Sequence, residues 1–369
     1  MLASGNDGVA VVRQPWSLGR RIAIAAITFV GLGFLVFATA GSNAEGRLMG
    51  AGSTLVQPIL QSVSTAYQGY IAADRVNPAT REGQSSDWAG SVSALDYDPV
   101  GSIGGLVRLD NPAVHFAATE VPMTVAELAA EDRMQFPLIL GAAAPVVNLD
   151  LPSGMLTLDA DVLAAIYAGT VTNWNDPAIA ALNGATELPD LPIAVRHRRE
   201  GSGTTYTFTG YLAKSTSWTA GRAAQLNWPV GEATDGSSGM VAAVAATEGA
   251  IGYAEIGRAR RAGLTVVNTV DGDGVNVAAT PETIAAAATG IDWSAGNAAI
   301  TGAGWPMTAI VYVVTKAEKS AQTDRALAFF RYFYAEAPRR ADELGYVALP
   351  PAAVEAVEGL WASHFEQKS

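Results

Sequence analysis

The chain has no cysteine in its 369 residues. That one absence excludes disulfides, thiolate zinc sites, cysteine nucleophiles and thiol lipidation. Histidine is nearly as scarce, and His115, His197 and His364 lie too far apart to suggest a metal site. No Gly-Lys pair occurs, which removes the P-loop, and G-x-G-x-x-G, G-x-S-x-G and H-E-x-x-H are missing too. No cofactor is therefore indicated. Basic charge is also short: 23 Lys and Arg face 35 Asp and Glu, for a formal net charge of −12. A phosphate-backbone partner needs a basic face, so nucleic acid is not expected as a partner.

What is present begins with a leader. Arg13, Arg20 and Arg21 precede "IAIAAITFVGLGFLVFATA", an uncharged apolar run over residues 22–40. Small residues follow, with candidate cleavage points after Ala40 and Ala44. This is the layout of an export signal. The run is almost long enough to span a bilayer, so an uncleaved membrane anchor is the rival. Either way the rest of the chain is expected outside the cytoplasm, in the periplasm or on the outer face of the cytoplasmic membrane. Residues 1–44 carry three arginines and one aspartate, a net +2, so the remainder stands at −14. An anion bound by such a chain would have to be held by a local set of donors rather than by long-range attraction.

With 49% hydrophobic and 16% charged residues the composition is globular. Strand-like and helix-like segments alternate, which argues for an α/β fold. "GSTLVQPILQSVSTAYQGY" reads as a turn and an amphipathic helix, and "HFAATEVPMTVAELAA" as a strand, a turn with a carboxylate and a helix capped by Thr124. "PLILGAAAPVVNL" reads as a buried strand pair bent at Gly141. Residues 74–96 are polar and turn-rich, like a surface excursion. Three loops share one design, in which a strand ends, glycines and hydroxyls follow, and a helix begins: "GAGSTL", "VGSIGG" and "REGSGTT". Free N–H groups and the positive end of the helix dipole make such starts natural anion sites. One of the loops carries Arg198, and "ATEVP" supplies a carboxylate. Ser202 as a nucleophile with His197 as its base lacks a third member and is not favoured.

These segments together resemble the periplasmic phosphate-binding proteins that feed high-affinity phosphate ABC transporters. "GAGSTLVQPIL" is similar to that family's "GAGATFPAPLY" type of opening, "VGSIGG" to its "GSSGG" loop, and "FAATEVPMT" to "FGASDAPL". "LTLDADVLAAIYAGTVTNWNDPAIAALN" resembles a stretch built around "IYxGxIxxWNDPxIxxLN", and "IAVRHRREGSGTTYTFTGYL" resembles "IAVVHRxDGSGTTxxFTxYL". The match runs from about residue 49 to 361, with 74–96 as an insertion. The resemblance implies a two-lobe, type II-like periplasmic-binding-protein fold with a hinge, closing on dehydrated phosphate. Lobe one would comprise 46–140 plus 303–369 and lobe two 141–302, after a leader over 1–45. By the same resemblance, Thr54, Leu55, Ser102, Arg198, Ser202, Gly203 and Thr204 would donate to the anion. Glu120 would accept its proton, and Glu200, with Arg199 adding charge, would orient Arg198. Permease subunits would be the protein partner.

Three positions depart from the family pattern. Leu55 stands in place of phenylalanine, and Glu120 and Glu200 each in place of aspartate. Phosphate near neutral pH keeps a proton to give a carboxylate, whereas sulfate has none and would face an unpaired like charge. Glutamate keeps that chemistry but reaches one methylene further. Two other readings stay open: a binder of another oxyanion (arsenate, sulfate or a phosphonate), which the change at Glu120 favours, and a membrane-tethered sensor or interaction protein with a degenerate site, which an uncleaved segment over 22–40 would favour.

Overall fold

The computed structural model describes residues 47–76, 95–152, 154–184, 186–293, 300 and 303–366. The apolar run at 22–40 and most of the 74–96 excursion lie outside them. Among the described residues no helix is long and apolar enough to cross a membrane. Leu48–Gly83 and Ser93–Ser369 form one unit, and Met1–Arg47 with Gln84–Val92 form another, of which only Arg47 is described.

The chain opens with β1 (Leu48–Gly52), α1 (Gln57–Val76), β2 (Leu95–Asp98), α2 (Ser102–Arg108), β3 (Phe116–Thr119) and α3 (Val125–Ala130). A 15-residue strand, β4 (Arg133–Val147), leads to α4 (Ala160–Ala168), α5 (Pro177–Asn183), β5 (Ala194–Arg198) and α6 (Gly203–Leu212). Next come β6 (Glu232–Thr234), α7 (Gly236–Ala245), β7 (Ala250–Glu255), α8 (Ile256–Arg261), β8 (Thr265–Val266), β9 (Thr269–Val270), β10 (Asn276–Val277) and α9 (Pro281–Ala287). The chain closes with β11 (Thr308–Lys316), α10 (Ala321–Leu344) and α11 (Pro351–Trp361). Helix starts follow the hydroxyl and carboxylate signals in the sequence. Thr124 makes a full capping box with Glu127, Asp159 caps α4, and Ser202 caps α6.

Nine strands form one mixed sheet in the order β2-β1-β3-β11-β4-β7-β5-β6, with β8 beside β4. β4 joins its two parts. Residues Arg133 to Ala142 pair antiparallel with β11, and Ala143 to Val147 pair antiparallel with β7. The strand pair expected here is one continuous strand, since β4 runs on through Gly141. Gly141 answers a different need: a Cβ there would come within 2.7 Å of Leu55 Cδ2, so the missing side chain lets Leu55 pack onto the strand.

Each part of the sheet has its own aromatic core. In the first, Phe330 of α10 meets Phe116 and Phe136 edge-on at 5.0 and 5.5 Å. In the second, Phe208 stacks on Tyr253 at 4.4 Å and Tyr167 packs on both. Where β4 changes partner, fully buried Trp305 donates its indole N–H to the Ala143 carbonyl at 2.8 Å. Trp305→Phe leaves that carbonyl unpaired, with an expected cost of about 1–3 kcal/mol. Thermal melts should show a lower midpoint, and an unchanged midpoint would mean the carbonyl does not depend on the indole.

Candidate oxyanion site

Four short connections meet at one place through their side chains and N–H groups. The first follows β1. Gly52 has φ 129°, and a side chain there would overlap the Ala118 carbonyl, so glycine lets the loop cross the end of β3. Ser53 N–H then bonds the same carbonyl at 2.8 Å. Beyond it, Thr54 Oγ1 lies 2.7 Å from Ser237 Oγ. Leu55 is fully buried and donates its N–H to Ser53 Oγ at 3.1 Å. From below, the Tyr346 hydroxyl donates to the Leu55 carbonyl at 2.5 Å, and Arg258 Nη2 to the Thr54 carbonyl at 3.4 Å.

The second connection precedes α2 and presents Ser102, 1% exposed. Its hydroxyl donates to Glu120 Oε2 at 2.5 Å and accepts the Gly203 N–H at 3.0 Å. Glu120 itself follows β3 directly, in the third connection, and is 4% exposed. Its other oxygen, Oε1, accepts from the Ser53 hydroxyl. Burial raises the Glu120 carboxyl above its ordinary value, while the hydrogen bonds from Ser102 and Ser53 and the charge of Arg198 hold it down. The same burial, with Glu120 nearby, pushes the Tyr97 phenol well up.

The fourth connection runs from β5 to α6. Arg198 ends the strand, 3% exposed, with its backbone N–H on the Tyr253 hydroxyl at 3.0 Å. Its guanidinium reaches Glu200 through Nε at 2.8 Å and again through Nη2. It also reaches Thr54 Oγ1 at 3.1 Å and Ser237 Oγ at 3.3 Å. Glu200 in turn accepts the Gly236 N–H at the start of α7, at 3.2 Å. Ser202 and Thr204 are buried at the start of α6. Gly203 lies directly under Glu120, where a methyl group would overlap the carboxylate.

The structure thus brings Thr54, Leu55, Ser102, Glu120, Arg198, Glu200, Ser202, Gly203 and Thr204 to one place. Arg199 turns away, and its exposed guanidinium bonds Asp235 at 2.8 Å. His197 stacks on Trp228 with ring centres 5.4 Å apart and bonds the Arg198 carbonyl through Nδ1, while Ser202 Oγ accepts from Thr205 N–H. Among the described residues no group of three or more His, Asp or Glu is arranged to hold a metal. A cavity of about 620 Å³ opens beside Glu120, with Tyr206, Lys214, Arg222, Asp271 and Tyr312 in its wall.

Sequence reasoning missed Ser53 and Ser237. Ser53 sits inside the quoted "GAGSTL", one residue before a predicted donor. Ser237 belongs to "TDGSSGM", a fourth glycine-hydroxyl helix start of the same design as the other three. Chemically the arrangement gathers hydroxyls and N–H groups around one guanidinium and sets a carboxylate among them. That suits a small tetrahedral oxyanion which itself carries a proton.

The PBP superfamily domain profile matches residues 38–337. The phosphate-binding protein PstS of Xylella fastidiosa (strain 9a5c) is 32% identical over 333 residues, 87% of this chain and 86% of that protein. PstS of Pasteurella multocida (strain Pm70) is 35% identical over 280 residues, 72% and 81% of the two chains. Among solved structures, a high-affinity periplasmic phosphate-binding protein (PfluDING) bound with phosphate matches with a TM-score of 0.62 at 20% identity, over 86% of this chain and 95% of that one. An ABC-type phosphate transport receptor from Vibrio cholerae matches with a TM-score of 0.50 at 21% identity, over 82% and 100%. At these identities the structural likeness speaks for the two-lobe fold.

The Glu120–Gly203 contact can be tested through stability. Gly203→Ala is expected to cost about 1–3 kcal/mol by overpacking. In a Glu120→Ala background the same substitution should cost at least ~1 kcal/mol less. Additive effects in chemical denaturation would show that the two residues do not meet.

Proposed function

The chain belongs to the PBP superfamily, among the phosphate-binding proteins of ABC transporters, and we propose that it captures inorganic phosphate through this set of residues. The observation that carries the reading is the pairing of a buried guanidinium with a buried carboxylate inside a ring of neutral donors. Arg198, oriented by Glu200, supplies a charge-assisted contact to the anion. Thr54, Ser202 and Thr204 supply hydroxyl and N–H donors, Leu55 and Gly203 share their N–H groups with Ser53 and Ser102, and Ser102, whose hydroxyl proton goes to Glu120, offers its N–H. Glu120 accepts the proton that phosphate retains near neutral pH.

The two lobes divide at 140/141 and again at 302/303 in this reading. Support comes from β4, which changes partner between Ala142 and Ala143, and from the return of the chain through Trp305 into β11. Closure joins lobe to lobe through Thr54 with Ser237 and through Ser102 with Gly203. An ABC permease on the outer membrane face receives the ligand when the lobes part. Residues 1–45 direct or tether the protein to that side of the membrane.

Titration calorimetry on the purified full-length protein, freed of co-purified phosphate and held near pH 8, tests the reading. Phosphate should bind and sulfate should bind far more weakly, since sulfate offers Glu120 no proton. Glu120→Gln should narrow that gap by roughly tenfold or more, because a neutral amide repels neither anion. Arg198→Ala should weaken both anions by about 2 kcal/mol or more. A wild-type preference for sulfate, or an unchanged gap in Glu120→Gln, would overturn the role given to Glu120.

A further inference from the structure

Ser53 lies outside the donor set that the resemblance implies, yet it is 1% exposed and touches the carboxylate at the centre of the site. Its place is fixed by backbone. β1 and β3 pair in parallel with Gly52 opposite Ala118, and Ser53 N–H bonds the Ala118 carbonyl at 2.8 Å. That register puts residue 53 opposite residue 119, next in the chain to Glu120, whose carboxylate the Ser53 hydroxyl reaches.

A hydroxyl has one proton to give and lone pairs to receive. At Ser53 the receiving side takes the Leu55 N–H at 3.1 Å, so the proton goes to Glu120 Oε1. The same polarity recurs on the other oxygen. Ser102 Oγ takes the Gly203 N–H at 3.0 Å and gives its own proton to Oε2 at 2.5 Å. Each carboxylate oxygen thus faces an O–H whose direction is set by a backbone N–H. Two donated hydrogen bonds stabilise the ionised carboxylate more than the neutral acid, and so oppose the upward pull of burial on Glu120.

We infer that Ser53 is a positioning residue that keeps Glu120 an ionised proton acceptor, and that selection of a protonated oxyanion over a fully ionised one depends on it. This rests on the role proposed above for Glu120. Other charged and titratable groups face the same carboxylate. They are Arg198 from β5, Tyr97 from β2, Tyr346 after α10, and Lys214, Arg222, Asp271 and Asp273 across the cavity. None of them is altered by substitution at 53.

The sign of the effect follows. Removing the Ser53 donor weakens the ionised form of Glu120, so its proton is lost only at higher pH. In that protonated state Glu120 donates to an anion instead of accepting from it, and sulfate is tolerated. The test is calorimetry of phosphate and sulfate on full-length wild type, Ser53→Ala and Ser53→Cys between pH 5.5 and 8.5. The thiol is close in size to the hydroxyl but a weak donor. The ratio of phosphate to sulfate affinity at low pH should fall by at least ~tenfold in Ser53→Ala and by less in Ser53→Cys. It should recover toward the wild-type value as the pH rises. Ratios equal to wild type at every pH, in variants that melt as wild type does, would overturn the inference. A uniform loss at every pH would overturn it as well, because a purely structural role predicts that pattern. Should Ser53→Ala fail to fold, the pH profile of Ser53→Cys alone decides. If wild type itself shows no preference for phosphate, the reading of Glu120 fails instead, and the two failures are told apart.

Discussion

A buried carboxylate is costly unless every oxygen finds a donor, and Glu120 is both deeply buried and unable to leave. Much of the site is arranged around that constraint. Ser53 and Ser102 come from separate loops to meet its two oxygens, and Arg198 lowers the cost of its charge from the far side. Arg198 is buried in turn, and Glu200, Thr54 and Ser237 share its N–H groups. Neither charge is stable there without the other's surroundings. A site of this kind discriminates by chemistry rather than by size, since the ligand must complete a hydrogen-bond pattern that the protein has already oriented.

The glycines allow that density. Gly52 lets the first loop cross the end of β3, and Gly203 lets a carboxylate lie against the start of α6. Backbone packed this closely brings the donors within reach of one carboxylate. Burial of the groups themselves raises the energetic weight of each donor and of each mismatch. The longer glutamate fits because the space a side chain at 203 would need is left to its carboxylate.

The sequence announced the local parts of this design and hid the distant ones. Gly-hydroxyl turns before helices, the arginine of "REGSGTT" and the cap at Thr124 are each decided within a few residues, so they could be read directly. Ser237 meets Thr54 across 183 positions and Tyr346 meets Leu55 across 291, and no local pattern encodes such pairs. The run around Gly141 was read as two strands because a glycine in an apolar run signals an interruption as readily as a close approach. Only the position of Leu55, far upstream, tells the two apart. Ser53 was overlooked for a similar reason, because its partner Glu120 is near only through the β1–β3 register.

The order of strands also bears on how the chain comes to its fold. β3 and β4 are close in sequence but do not pair, because β11 lies between them. The first part of the sheet thus stays split until Thr308–Lys316 has been synthesised. Neither β3 nor β4 can complete its pairing before that segment is available. A nascent chain of this topology is slow to commit, since its central ladder depends on contacts of long sequence separation. Its half-built sheet is also the species most open to unwanted strand pairing.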